Sequence, residues 1–381
     1  MVSKRARETS PFLAMDVFKK AHRMDDVVHL EVGEPDFEPP EYVADAAVES
    51  LRAGNTNYTD AGGKPELRAE ISAYYDRNYG VDVPAERIFV TAGSSPGLLL
   101  ACLAALDPGD EVVLTDPHYA CYPNFVRQAD ATIRTVPLAP DDGFAFRWDS
   151  LTDALAREPA AILLNSPSNP TGSVLDGDTL GELADLATAA GTTVISDEIY
   201  HGLDYDVDAH SVLEYTDDAF VADGFSKRFG MTGWRLGWVV VPDAYVDAVR
   251  RLAQNLFICA PSFTQDAGRI ALERGDDHVT EVRELFRARR DFLVDAVDEW
   301  GLGLDYTPGG AYYLLIDVSD LPGDAFDVAD LLLTDAKVAL TPGADFGDGA
   351  SEYLRVSYAT SQEHLETAHQ RVMNLLETHE F

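Results

Sequence analysis

The chain has 381 residues, 46% of them hydrophobic, enough for a large core and about two domains. Sixty-six acidic side chains against 29 basic ones give a formal net charge of −37, which repels nucleic acid and anionic membranes and excludes both as expected partners. Acidic pairs such as Asp141-Asp142, Asp217-Asp218 and Asp276-Asp277 are spread along the chain, and lysine occurs only at positions 4, 19, 20, 64, 227 and 337, a balance expected of a salt-adapted protein.

After the basic start Met1 to Arg7, the apolar piece Pro11 to Met15 is too short for a signal-peptide core. No apolar run approaches the roughly 18 residues of a membrane helix, so the expected location is the cytoplasm. Cys102, Cys121 and Cys259 show no metal-ligand spacing and sit among apolar or aromatic neighbours, which reads as buried, reduced thiols.

In chain order, Ile88 to Val90 is the first of several short apolar runs bounded by turns. Thr91 to Gly97 follows it as a turn of small residues opening a helical pattern over Gly97 to Leu106. Backbone N–H groups at such a helix start suit a phosphate, although a plain helix cap accounts for the same residues. Asp107 to Asp110 is a turn, Glu111 to Leu114 the next strand, and Ala160 to Leu164 another, running into Asn165 to Gly172 (NSPSNPTG). A helical pattern over Thr179 to Ala190 stops at Gly191, and the strand Thr193 to Ile195 delivers Asp197 to its carboxyl end. Ligands of open α/β sheets bind at that end, although a turn cap is the plainer role for an aspartate there. Trp238 to Val241 is the last strand of this kind.

From about Asp277 the texture changes to a long charged helix ending near Trp300-Gly301, then strands at Tyr312 to Ile316 and Tyr353 to Ser357. The alternation implies an α/β fold: a large domain over residues 46–276 with a mostly parallel central sheet and helices on both faces. A smaller α+β domain would be formed by residues 1–45 and 277–381.

The segment of most chemical interest is Gly224 to Trp238, GFSKRFGMTGWRLGW. Burying a lysine is costly, so Lys227 amid Gly, Phe and Met needs a reason. An amine with a lowered pKa that attacks an aldehyde is one such reason. Arg235, eight residues on, carries a fork that fits a phosphate. By its residues alone, the segment is equally compatible with a surface lysine and a packing arginine.

This segment resembles the cofactor-lysine signature of the class I aminotransferases, pyridoxal-phosphate enzymes of fold type I, and further matches run from about Leu30 to Ser361. The resemblance implies that Lys227 holds pyridoxal phosphate as a Schiff base and acts as catalytic base. It also implies an amino-group exchange between an L-amino acid and a 2-oxo acid in a ping-pong cycle. Gly93, Ser94, Ser95 and Arg235 would hold the phosphate, and Tyr119 would stack on the ring. Asn169 and Tyr200 would meet the ring hydroxyl, and Asp197 would face the ring nitrogen. Tyr58 (in NYTDAGGKPELR) would reach the phosphate of a neighbouring subunit, making the enzyme a homodimer with shared active sites. Gly33 (in LEVGEPDF) and Arg355 (in YLRVSYATS) would take the substrate carboxylate.

One departure is that Gly224 stands where many relatives carry a phosphate-binding serine, with Ser226 next to the lysine instead. The substrate side chain is not legible. The same motifs serve a lyase or synthase, or a regulatory domain that binds the cofactor without turnover. There is no GxGxxG after a strand, GxxxxGK[ST], HExxH or GxSxG, so no metal is expected. His364 and His369 read as solvated residues of a charged C-terminal helix.

Overall fold

A computed structural model describes residues 2–304 and 306–378. Its centre is an eight-stranded sheet in the order Ile88–Thr91, Gly237–Val240, Ala219–Gly224, Thr193–Asp197, Ala161–Asn165, Glu111–Asp116, Thr132–Ala139, Ala145–Phe146. Gly237–Val240 runs antiparallel to both its neighbours, and the short Ala145–Phe146 is antiparallel at the edge. The remaining pairings are parallel.

Alternate residues of the central strands enter different cores, because successive side chains of a strand point to opposite faces. Val113, Ile162, Val194 and Val221 pack with the helices Pro65–Tyr79, Trp148–Leu155 and Gly177–Ala190. Leu114, Leu163, Ile195 and Phe220 pack with Ser94–Ala105, Tyr122–Gln128 and Val246–Leu256. Covering both faces in this way is what makes the strands nearly continuous apolar runs. Helix Gly177–Ala190 shows the local logic: Asp176 caps it by accepting from the Thr179 N–H at 2.8 Å, and Gly191 ends it at φ 67°.

A third core joins the N-terminal strand Val28–His29 to the C-terminal third of the chain. That strand pairs in parallel with Val338–Ala339, and Tyr353–Ser357 lies between Tyr313–Asp317 and Thr341–Pro342 in an antiparallel sheet. The long helix Asp276–Glu299 packs Val282, Phe286 and Leu293 into the same core.

Three expectations are corrected. A boundary at residue 45 falls inside the helix Glu41–Arg52, whose Val43 and Ala47 both pack into the large core, so a cut there would split one continuous helix. Cys102 is buried, and burial pushes its thiol up to about 12, but Cys121 and Cys259 are only half-buried. His369 is packed rather than solvated: it stacks on Trp300, whose indole N–H donates to its Nδ1 at 3.1 Å. Among the described residues no helix is long and apolar enough to cross a membrane.

Candidate active site

The carboxyl ends of the central strands open into a cavity of about 310 Å³. Lys227, Asp197, Asn169, Tyr119, Tyr200, Ser94, Ser95, Arg235, Gly33 and Arg355 all line it, although they come from well-separated parts of the chain. Tyr58 does not: it is 83% exposed.

Asp197 ends its strand in register with Asn165 of the neighbouring strand. Asn165 donates from Nδ2 to the Asp197 carbonyl at 2.8 Å and accepts the Asn169 N–H at 2.7 Å, which ties the loop after one strand to the end of the next. The Asp197 carboxyl is buried and accepts the Tyr122 hydroxyl at 2.8 Å. Burial raises its pKa to about 7, against lowering by the Tyr122 hydroxyl and the Ile199 N–H; Asp223 raises it and the Lys227 charge lowers it by less. A carboxyl so placed gains most from a cation opposite it.

Lys227 follows the strand Ala219–Gly224 and is half-buried at the cavity wall, its Nζ donating to the Gly33 carbonyl at 2.9 Å. The fully enclosed cation expected here is instead its neighbour Arg228. Arg228 pairs with Asp223 at 2.5 Å and donates to the Tyr74 hydroxyl at 2.6 Å and the His201 carbonyl at 3.1 Å. That buried pair pins the segment and sets where the lysine points. Gly33 leaves no choice of residue, because a Cβ there would lie 1.7 Å from the Tyr313 hydroxyl.

At the other wall, Gly93 precedes helix Ser94–Ala105 with φ 100°, and a Cβ on it would come within 2.5 Å of Arg235 Nη2. Arg235 is exposed, in the left-handed region, and its guanidinium donates to the Thr232 carbonyl at 2.8 Å and the Ala92 carbonyl at 3.1 Å. A helix start with free N–H groups, two serines and a guanidinium held beside a glycine make an anion cradle. Space at position 224 is tight: a Cβ there would be 3.0 Å from Gly237 Cα and 3.1 Å from the Leu236 carbonyl, so a serine would need the neighbouring strand to give by a few tenths of an ångström. Ser226 does line the cavity.

Arg355 is buried in its strand, paired across the sheet with Leu315 and Thr341. It donates to Asn169 Oδ1 at 3.1 Å and to the Glu31 carbonyl at 2.6 Å, and it lies over the Tyr313 ring. Among the described residues its Nε has no hydrogen-bond partner. Since Asn169 Oδ1 is engaged, the Asn169 amide offers Nδ2 to any further ligand.

Sequence reasoning missed the lining residues Tyr122 and Tyr313, the wall formed by Phe12, Ala14 and Met15, and Tyr312 just behind the lining. Tyr312 donates to the same Gly33 carbonyl as Lys227 at 3.0 Å, and Tyr313 shares a 3.1 Å hydrogen bond with Tyr200. Nothing in an apolar strand separates a site tyrosine from a core one.

The family model for "Aminotransferase class I and II" matches residues 25–372. The (5-formylfuran-3-yl)methyl phosphate transaminase of Methanocaldococcus jannaschii is 37% identical, covering 99% of this chain and 100% of that protein. The aspartate/prephenate aminotransferase of Thermus thermophilus is 35% identical, covering 98% of each. The solved aspartate aminotransferase of Thermus thermophilus with maleate superposes with a TM-score of 0.94 at 34% identity, over 98% of this chain and 99% of that one. The chain belongs to the class I and II aminotransferases, pyridoxal-phosphate-dependent enzymes that exchange amino groups between amino acids and 2-oxo acids. That family places it with transferases rather than with a lyase or a non-catalytic binding domain.

Proposed function

We propose that this cavity runs a ping-pong transamination of L-amino acids whose side chains are apolar or aromatic. The observation that carries the reading is the convergence of Lys227, Asp197, Arg355 and the cradle residues Ser94, Ser95 and Arg235 on one space, with Gly93 directly behind the Arg235 guanidinium. The donor set fits pyridoxal phosphate, with a cradle for its phosphate, a buried acid for its ring nitrogen and an amine for its aldehyde. Bound there, pyridoxal phosphate supplies an aldehyde that condenses with amines and a cationic ring that draws electrons from the α-carbon. Asp197 would hold positive charge at the ring nitrogen, Asn169 and Tyr200 would meet the ring hydroxyl, and Tyr119 would stack on the ring. Arg355, beside Gly33, binds the α-carboxylate, and Lys227 Nζ takes and returns the α-proton. The division into a large part within residues 46–276, extended back to the start of helix Glu41–Arg52, and a smaller part from both ends belongs to the same proposal.

The side-chain preference rests on the rest of the wall. Phe12, Ala14, Met15, Val32 and Ile199 are apolar, and among the described residues of one chain the cations lining the cavity, Lys227, Arg235 and Arg355, each already have a role. A panel of amino donors checks it: phenylalanine and leucine are expected to exceed aspartate and glutamate in kcat/KM, and preference for a dicarboxylate would overturn the assignment.

Arg355→Lys replaces a planar fork by a point charge. Losing one charge-assisted pair costs about 1.5–3 kcal/mol, so KM is expected to rise roughly tenfold to a hundredfold while cofactor affinity stays the same. Steady-state kinetics beside a cofactor titration measures both, and an unchanged KM would remove the role.

The exposed Tyr58 supports a homodimer in which each chain completes its neighbour's phosphate site, and the acidic surface supports a cytoplasmic, salt-adapted enzyme. The acidic pairs Asp141-Asp142, Asp217-Asp218 and Asp276-Asp277 are all exposed. Screening extends roughly 10 Å at 0.1 M salt and about 3 Å at 1 M, so molar salt removes most repulsion between two such chains. Activity and the dimer are expected to be lost together on dilution into low salt. Sedimentation and rates across a potassium chloride series test this, and a fully active dimer at the lowest salt would refute it.

A further inference from the structure

Outside the cofactor set, two imidazoles and a carboxylate meet at the end of the first long helix. His22 caps the C-terminus of Leu13–Ala21, His29 lies on the strand Val28–His29, and Glu31 follows two residues later. One ligand-capable atom from each lies within 4.8 Å of the other two. The two imidazole rings are 4.7 Å apart, and His29 Nδ1 is 2.8 Å from Glu31 Oε1. The Glu31 side chain is 0% exposed, and its Oε2 has no hydrogen-bond partner among the described residues. Its one ion pair among the described residues is with His29.

A buried carboxylate with one oxygen unmet carries a desolvation cost that only another cation or donor removes. His22 and His29 offer two nitrogens beside it, and two nitrogens with one carboxylate oxygen suit zinc, cobalt or nickel. Magnesium and calcium instead take all-oxygen sets. Tetrahedral bonds of about 2.0–2.2 Å place ligand atoms roughly 3.3–3.6 Å apart, so the 2.8 Å His29–Glu31 contact must open by about half an ångström and the exposed His22, whose ring packs on Phe18, must close by up to about an ångström.

We propose that His22, His29 and Glu31 bind one divalent transition-metal ion of the zinc class, with a fourth position open to water. No familiar metal-binding motif signals it, because His22 stands at a helix end, His29 on the following strand and Glu31 just past it, and the turn between them sets their distance. The ion joins that helix, which presents Ala14 and Met15 to the cavity, to the segment whose Glu31 carbonyl accepts from Arg355. Its role is to hold one wall of the substrate site in place, and it stands independently of the transamination reading.

The test uses the full chain with its cofactor, freed of metal by a chelator and titrated with cobalt(II) in potassium chloride. One equivalent is expected to give the visible d–d absorption of a low-coordinate cobalt site, displaced by one equivalent of zinc and not by magnesium. His22→Ala and His29→Ala are each expected to weaken cobalt binding at least about tenfold, since losing a ligand costs no less than losing a ligand's hydrogen-bond partner. Circular dichroism and cofactor absorbance establish that both variants are folded. Absence of the band, displacement by magnesium, or binding that survives in both folded variants would place the metal on surface carboxylates and overturn the site. Each readout is independent of turnover, so its failure is distinct from failure of the transaminase reading.

Discussion

Lys227→Ala is expected to lower kcat by at least about 10⁴-fold while leaving the fold and non-covalent cofactor binding in place. A positioned acid–base group alone contributes about 10²–10⁴, and this lysine also supplies the amine that anchors the cofactor. The structural cost is small. Lys227 is half-buried, and the hydrogen bond it loses, from Nζ to the Gly33 carbonyl, leaves an oxygen that Tyr312 still serves at 3.0 Å. About 1 kcal/mol of stability is at stake, and the buried Arg228–Asp223 pair that pins the segment is untouched. Added methylamine should restore part of the rate, since it supplies the missing base from solution. Borohydride reduction and peptide mapping of the unaltered enzyme locate the attachment. A cofactor label on Lys64 or Lys337, or a Lys227→Ala variant within tenfold of the parent, would end the assignment.

The fold was legible wherever a strand is apolar along its whole length. Ile88–Thr91, Ala161–Asn165 and Thr193–Asp197 were read within a few residues of their ends. Thr132–Ala139 was not, because near the sheet edge Arg134 is tolerated in the strand by a paired Glu111 at 2.7 Å, and a proline interrupts the pattern. Ala219–Gly224 is not legible because Asp223 breaks an otherwise apolar run, and its partner Arg228, five residues on, lies beyond the end of the strand. The site divides the same way. Lys227, Asp197, Asn169 and Arg355 stand in recognisable segments, and the fold brings them to one cavity. Tyr122 reaches Asp197 across 75 residues of chain, a relation that no local pattern encodes. Tyr58 can be placed at a site only with a second chain, and within one chain it lies in solvent.

Asp197→Asn is expected to lower kcat about 10³-fold. A carboxylate and a cation about 4 Å apart are worth about 4 kcal/mol at an effective dielectric near 20, or about 10³ in rate when the charge matters most in the transition state. Asparagine keeps the shape and accepts the Tyr122 hydroxyl, so the loss reports charge rather than packing. The pH dependence of the cofactor-free protein provides a second readout. The Asp197 carboxyl titrates near 7 when folded because burial disfavours its charge, against an ordinary value of 3.8. Between those values the folded chain keeps a proton that the unfolded chain has released, so stability falls as pH rises from about 4 to about 7 and levels off above. Glu198 and Asp223, raised to about 8 and about 6 by burial, add the same trend, so only the difference between parent and variant isolates Asp197. The parent should lose more stability than Asp197→Asn across that window when cofactor-free. When loaded, the parent should lose less than it does cofactor-free, because a cation opposite the carboxylate brings its pKa down. Parallel stability curves for parent and variant, or a variant within tenfold of the parent in kcat, would show that this buried acid carries no charge in the reaction.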